Sequence, residues 1–329
     1  MRVVIPDDFV GLFAGLPELA RLSRLGEVAH HADRAADEAA LAARLAGAGA
    51  VITVRAAFTR FSADLLSGLP SLRLIAVAGT GTQDVDVAAA TRLGIAVANA
   101  AGASARSVAE TTIGLILALA HQIPRLDRGL RAGGWPQPLG WDVEGRTLGL
   151  VGLGRIAQMV ARFARGLDMR VIAWTRRDAA ARAAACGAEP VPLERLWREA
   201  DVVSDHLRLA PETRGFIGRE AFAAMRPGAV FVDTTRGGIV DEAALIEALQ
   251  RGALAGAALD VFAREPLPAD SPLRAMEQVI LTPHAAWLTQ ETSRRMAVTS
   301  IENVLAFFGG RPANLVNPEV LTSGRRGAP

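Results

Sequence analysis

Residues 147–177, TLGLVGLGRIAQMVARFARGLDMRVIAWTRR, restrict the possible folds of this chain more than any other stretch. Thr147 to Val151 is an apolar run of strand length that stops at glycines, and Gly152, Gly154 and Ala157 spell G-x-G-x-x-A. Ile156, Val160, Phe163 and Leu167 recur at helical spacing, and a second apolar run follows from Met169 to Trp174. The pattern predicts strand, tight turn, helix and strand, which is one βαβ unit. Gly152 permits the sharp turn, Gly154 lets a backbone approach a pyrophosphate, and Ala157 is small enough for the helix to sit close on the strand. Unpaired N–H groups at the start of the helix face the anion. Glycine turns between strands and helices are common. The flanking strand–helix–strand pattern is what points to a nicotinamide or flavin dinucleotide.

The end of the second strand selects between NAD and NADP. An acid there holds the ribose 2′-OH, whereas arginines accept a 2′-phosphate. Here the strand is followed by Thr175, Arg176 and Arg177, while Asp168 precedes the strand and Asp178 comes late. This favours NADP over NAD, with solvated surface charge as the alternative role for the two arginines.

The chain has 329 residues, enough for two domains. Half of it is apolar, but no run reaches the roughly 18 residues that span a membrane, and the start MRVVIPDD lacks a signal-peptide core. A cytoplasmic location without a membrane partner is expected. A single cysteine, Cys186, excludes an intramolecular disulfide framework and a cysteine-rich metal site, and no metal is expected. The isoelectric point near 9.7 suggests nucleic acid at first sight. Yet the net charge is only +2, and the 36 basic residues are all arginine, with no tyrosine in the chain. Almost nothing titrates between neutrality and about pH 12, so a small excess carries the value far upward. The arginines are interleaved with acids, and no nucleic-acid partner is expected.

Residues 1–98 alternate strand candidates (Val3–Ile5, Ala50–Val54, Leu72–Val77, Ile95–Val97) with helical segments (Ala36–Ala46, Asp84–Leu93), an α/β layer structure. Ala78, Gly79, Thr80 and Gly81 follow the third of these strands as a loop whose amides suit a carboxylate, or simply as a tight turn. Arg55, directly after the second, suits an anionic substrate or a surface cap. Ser107 and Glu110 have capping-box spacing at the head of an apolar helix over 108–121, suited to burial between domains or at a dimer contact. A loop rich in glycine and proline follows, in which Trp135 and Trp141 read as packing residues.

Beyond the glycine unit lie further strands: Asp201–Ser204, Ala229–Val232, Ala255–Leu259 and Val279–Leu281, with helical segments near Phe222 and Leu245–Leu249. Ligands of doubly wound sheets gather beyond the carboxyl ends of the strands. Those ends carry His206, then Thr235-Arg236-Gly237-Gly238, then Asp260, then His284, with Glu265 five residues after Asp260. Singly, each has a structural role available as a cap, a turn anchor or a core histidine. Together, beside a dinucleotide turn, they supply a cation for a carboxylate and an acid for a forming alkoxide.

The segments VAGTGTQDVD, ARSVAE, GRTLGLVGLGRIA, DVVSDHLRLAPETRG, TTRGGIVDEAAL, LDVFAREPLP and TPHAAWLT resemble, in order and spacing, the D-2-hydroxyacid dehydrogenase family, which includes glyoxylate/hydroxypyruvate, phosphoglycerate and formate enzymes. The resemblance implies an α/β chain in which a Rossmann dinucleotide-binding domain (99–286) is inserted into a flavodoxin-like substrate domain (1–98 and 287–329), with a cleft between them and a homodimeric assembly. It implies that Arg236 binds the substrate carboxylate and carbonyl, that His284 donates the proton, and that Glu265 orients His284. It makes Gly152, Gly154, Arg155 and Ile156 cofactor contacts, together with Thr175, Arg176, Arg177 and Thr235, and puts Asp260 at the nicotinamide carboxamide. Arg55, Ala78, Gly79 and Thr80 fall to the substrate. Ala157 stands in place of a third glycine, Arg208 where many relatives have proline, and Ala286 in place of a common glycine. None of these removes a reacting group. With its last helix close to the end of the sequence, the chain is expected to lack the regulatory extension of long phosphoglycerate dehydrogenases.

The expected activity is NAD(P)-dependent interconversion of a small 2-keto acid and its D-2-hydroxy acid. Two alternatives keep the fold: a dinucleotide-sensing, corepressor-like binding protein, and an oxidiser of formate or phosphite. The intact acid–base set argues against the first. The Glu265–His284 pair argues against formate, whose oxidation needs no proton transfer.

Overall fold

A computed structural model describes residues 1–54 and 59–322, so Arg55 lies outside the described residues. Among them, twelve strands form two sheets in which every strand pairing is parallel. The chain divides into two compact units, Met1–Ser104 with Leu288–Pro329, and Ala105–Trp287. No helix among the described residues is long and apolar enough to cross a membrane.

The first unit contains β1 (Arg2–Ile5), β2 (Glu27–His30), β3 (Ala48–Val54), β4 (Leu74–Ala78) and β5 (Ala96–Asn99), in the order β2-β1-β3-β4-β5. That is the order of flavodoxin-like sheets. Strand side chains alternate between faces, and the unit accordingly has two cores. Val3, Ile5, Ile52, Leu74 and Ala76 meet Ala297, Ile301, Val304 and Phe307 of the helix Gln290–Phe308, while Val4, Val51, Ile75 and Val77 meet Leu45, Leu66 and Ala90. All seven residues of β3 are buried, as expected for an apolar central strand of a parallel sheet.

The second unit contains β6 (Thr147–Val151), β7 (Arg170–Trp174), β8 (Glu189–Pro190), β9 (Val202–Asp205), β10 (Val230–Asp233), β11 (Gly256–Leu259) and β12 (Val279–Leu281). Their order is β12-β11-β10-β9-β6-β7-β8, the doubly wound dinucleotide-binding order with one strand added at the edge. The order reverses between β6 and β9, so a crevice opens beyond their carboxyl ends, where Gly152 begins the turn.

Several expectations change. The helix headed by the 107–110 spacing spans Ala105–Ala120, so Ser107 lies inside it and not at its head, and Glu110 bonds Arg106 Nε at 2.7 Å. The helix is buried within its own unit, with Leu115, Ile116 and Ala120 in one core with Val160 and Val230. Trp135 does not pack: it is 79 % exposed. Trp141 is partly buried, with the Arg146 guanidinium 4.9 Å above its ring. Cys186 is buried, as expected of a small apolar residue.

Candidate active site

The glycine turn is built as its spacing requires. Gly152 has φ +96°, and a Cβ there would meet the His206 carbonyl oxygen at 2.9 Å, so only glycine fits. Gly154 caps the helix Arg155–Arg165, and a Cβ on it would meet nothing within 4 Å, which leaves space in front of the helix start. Arg155 and Ile156 form the first turn of that helix, and Ala157 is fully buried beneath it. Open space, unpaired amides and a helix N-terminus at the switch point fit a dinucleotide pyrophosphate.

At the end of β7, Thr175 Oγ1 donates to the Arg177 carbonyl at 3.4 Å. Arg176 Nη2 bonds Glu212 Oε1 at 3.1 Å, an exposed pair that brings an acid into the expected 2′-phosphate region from a different loop. Asp178 is largely exposed, lies 4.0 Å from Arg182 and precedes the helix Ala179–Ala184.

The ends of β10, β11 and β12 bring the acid–base residues onto one edge. His284 adopts φ +54°, a left-handed conformation that is uncommon for a side-chain-bearing residue. Its amide bonds the carbonyls of Asp260 (2.8 Å) and Thr282 (3.0 Å). The ring is held by Glu265, whose Oε2 lies 2.7 Å from Nδ1, and Glu265 Oε1 accepts the Phe262 amide at 3.2 Å. A carboxylate accepts only, so Nδ1 carries the proton of this bond, and Nε2 is the nitrogen left for other work. Asp260 is 1 % exposed and organises the loop that bears His284: Oδ1 accepts Thr282 Oγ1 (2.6 Å) and the Ala285 amide (2.8 Å), and Oδ2 accepts the Ala286 amide (3.0 Å). Burial raises its pKa, and the Thr282 hydroxyl opposes that.

Arg236 precedes the short 3₁₀ turn Gly237–Ile239, and its Nη1 donates to the Thr235 carbonyl at 2.6 Å. A Cβ on Gly237 would lie 2.0 Å from the Phe262 carbonyl carbon. Glycine therefore lets the arginine corner pack directly on the loop that leads to Glu265. In the first unit, the Gly79 amide is spent on Val77 O (2.9 Å) directly after Ala78, and Asn99 Nδ2 donates to Thr80 O at 2.8 Å. Among the described residues no hydrogen bond engages the amides of Thr80 and Gly81.

The sequence did not single out Asp205 and Asp233. They end β9 and β10 side by side, buried, with the Thr235 hydroxyl between them. The signal was an acid as the last residue of each of two adjacent strands. His206, beside them, is neutral, because burial pushes its pKa down to about 3, and its Nε2 meets Ser204 Oγ at 3.0 Å.

Comparison with known proteins agrees with this geometry. The family model described as "D-isomer specific 2-hydroxyacid dehydrogenase, NAD binding domain" matches residues 113–286. A glyoxylate reductase of Korarchaeum cryptofilum is 43 % identical over 268 residues, covering 79 % of this chain and 80 % of the relative. A D-3-phosphoglycerate dehydrogenase of Mycobacterium bovis is 42 % identical over 269 residues, covering 81 % of this chain but 51 % of its own length. Among solved structures, an NADPH-dependent glyoxylate/hydroxypyruvate reductase of Sinorhizobium meliloti superposes with a TM-score of 0.82 at 30 % identity, covering 96 % of this chain and 97 % of its own. The chain belongs to the D-isomer specific 2-hydroxyacid dehydrogenases, oxidoreductases that work with a nicotinamide dinucleotide.

Proposed function

We propose that the protein reduces a small 2-keto acid, of the size of glyoxylate or hydroxypyruvate, to the D-2-hydroxy acid with NADPH. The observation that carries this reading is the 2.7 Å bond between His284 Nδ1 and Glu265 Oε2 on the sheet edge that also bears Arg236. The dinucleotide, when bound, supplies a hydride to C2. Arg236 pairs its planar guanidinium with the substrate carboxylate, a bidentate match that lysine cannot offer. As negative charge grows on the C2 oxygen, His284 gives it the Nε2 proton, and Glu265 keeps the ring oriented and supports the charged imidazolium. Gly152, Gly154, Arg155 and Ile156 hold the pyrophosphate. Thr175, Arg176 and Arg177 receive the adenosine ribose and its 2′-phosphate. Thr235 and Asp260 line the nicotinamide side. The amides of Thr80 and Gly81, beside Ala78 and Gly79, suit the carboxylate of the same substrate. The NADPH dependence named for the Sinorhizobium relative supports this cofactor choice.

A homodimer belongs to the same reading. Ile123, Leu130, Trp135 and Leu139 are 53–93 % exposed within 17 residues, an apolar stretch that a second copy would cover. The test is turnover of glyoxylate, hydroxypyruvate, pyruvate and bulkier 2-keto acids with NADH and NADPH, with the product's configuration determined. Dinucleotide binding without turnover of any keto acid would replace the reductase by the sensor.

A further inference from the structure

Asp205 and Asp233 sit opposite each other in the β9–β10 register and are 0 % and 1 % exposed. Thr235 Oγ1 is 2.5 Å from Asp205 Oδ2 and 2.8 Å from Asp233 Oδ1. Two hydrogen bonds along these three oxygens need two protons. A threonine hydroxyl brings one, and an ionised carboxylate brings none. The second proton therefore resides on an aspartate. The remaining contacts decide which one. Asp233 Oδ1 also accepts the Thr235 amide at 2.8 Å, so that oxygen receives two donors and behaves as a carboxylate. On Asp205 the Leu207 amide engages Oδ1 at 3.0 Å, the His206 amide, already bonded to Val151 O, adds a lesser interaction, and the threonine oxygen is the hydrogen-bond partner of Oδ2 among the described residues.

We propose that Asp205 is a neutral carboxylic acid whose Oδ2–H donates to Thr235, that Thr235 donates in turn to an ionised Asp233, and that this sealed relay is a positioning device for Arg236. Thr235 is held by its hydroxyl and its amide together, and its carbonyl is the atom that accepts Arg236 Nη1. The relay thereby sets the direction of the guanidinium without touching substrate. This role rests on the reading of Arg236 as the carboxylate anchor.

The electrostatics agree. Burial, then the charge of Asp233, push the Asp205 carboxyl well above the ordinary range. Burial raises Asp233 less, to about 6, against the donors of Thr235. Among the described residues, the other charged or titratable groups facing the pair are Asp260 directly after β11, Arg236 from the corner itself, and the neutral His206 from the loop after β9. On the other side of β9, β6 ends in Val151, Gly152 follows, and neither adds charge. Unfolded, Asp205 ionises near about pH 3.9, and folded, at higher pH. The folded state thus binds more protons across that window, and stability falls as pH rises through it.

Asp205→Asn preserves the donor, because its amide N–H₂ replaces the acid O–H. Asp205→Leu removes it. Infrared difference spectra of wild type against Asp205→Asn at neutral pH should show a protonated-carboxyl C=O band in the wild type that the variant lacks. Asp205→Asn should keep the neutral-pH KM for glyoxylate, abolish the wild-type rise of that KM at alkaline pH, and lose the part of the fall in melting temperature that lies above the Asp233 titration near pH 6. Asp205→Leu should raise the glyoxylate KM about tenfold, the worth of one net hydrogen bond, with the KM for NADPH little changed. Absence of the band overturns the relay, whatever Arg236 does. If leucine and asparagine behave alike in KM while the band is present, the positioning role is overturned. If Arg236→Lys is fully active, the reading of Arg236 fails and the band is unaffected.

Discussion

Each unit of the molecule holds one histidine tied to a carboxylate, and the two pairs have opposite surroundings. In the first unit His30 Nε2 lies 2.9 Å from Asp8 Oδ2, and Asp8 also accepts the amides of Leu12 (2.6 Å) and Phe13 (2.9 Å). The Asp8 side chain is 1 % exposed, and the His30 ring packs edge-on against Phe13 at 6.4 Å. This pair closes a turn after β1. In the second unit His284 holds a left-handed backbone, its acid Glu265 is 21 % exposed and accepts the Phe262 amide, and Arg236 stands on the neighbouring loop. The bond is of similar length in both. What differs is how deeply the acid is buried, which ring nitrogen it takes, and what lies beside it. A histidine–acid bond is therefore not by itself a proton-transfer device. Under the proposed function, a partly open acid, an Nε2 free of that bond and a nearby cation distinguish the His284 pair.

Exchanging asparagine for each histidine is the strongest test of that contrast. His284→Asn should lower kcat by about 10²–10⁴-fold, the usual worth of general acid catalysis, with NADPH affinity by fluorescence nearly unchanged. His30→Asn should leave kcat within about twofold and cost about 1–2 kcal/mol of stability, since it strips one partner from a buried carboxylate. Equal losses of turnover in the two variants would abolish the distinction.

The arginines divide in the same way. Arg44 in the first unit is spent on structure: Nη1 donates to Pro6 O (2.6 Å) and Asp33 O (2.8 Å), and Nη2 to Asp33 Oδ2 (2.8 Å). Arg236→Lys should lower kcat/KM for keto acids by about 10- to 100-fold through loss of a forked, charge-assisted contact, at nearly constant melting temperature. Arg44→Lys should do the reverse, losing about 1–3 kcal/mol of stability with kcat/KM retained. A fully active Arg236→Lys would make Arg236 a cap like Arg44.

How much of this the sequence reveals depends on whether a residue's role is local. The strand ends were legible because apolar runs stop abruptly, and Arg236, Asp260 and His284 follow those stops directly. β2 was not, because EVAH is a short edge strand with no fully buried residue, and neither was β8, a two-residue edge containing Pro190. The helix Ile123–Arg131 buries none of its residues, so it has no apolar stripe against a core to betray it. The 107–110 spacing misled because the helix starts three residues earlier, at Ala105, and Glu110 finds Arg106. Asp205 and Asp233 each end an apolar run, but that signal did not show that they meet. Their meeting depends on the register of two strands whose ends are 28 positions apart and on a hydroxyl from the turn directly after β10.

A third ionic pair, exposed on both sides, sharpens the comparison at its weak end. Arg176 and Glu212 are 49 % and 54 % exposed and 3.1 Å apart, and the carboxyl of Glu212 is lowered first by a backbone hydrogen bond and then by Arg176. Exposed pairs are worth about 0–1 kcal/mol, so Glu212 restrains the guanidinium only lightly. A 2′-phosphate offers Arg176 a stronger, doubly hydrogen-bonded partner, and it must displace Glu212 to reach it. Glu212→Gln should therefore improve kcat/KM for NADPH by about two- to fivefold, leave NADH nearly unchanged, and have little effect on stability. Replacing Arg176 and Arg177 together by alanine should erase most of the NADPH preference. Raising the salt should shrink the effect of Glu212→Gln, because screening already does to this pair what the substitution does. An equal gain for NADH and NADPH in Glu212→Gln would mean that Glu212 acts on the adenosine half at large, and that Arg176 is no more a ligand than Arg44.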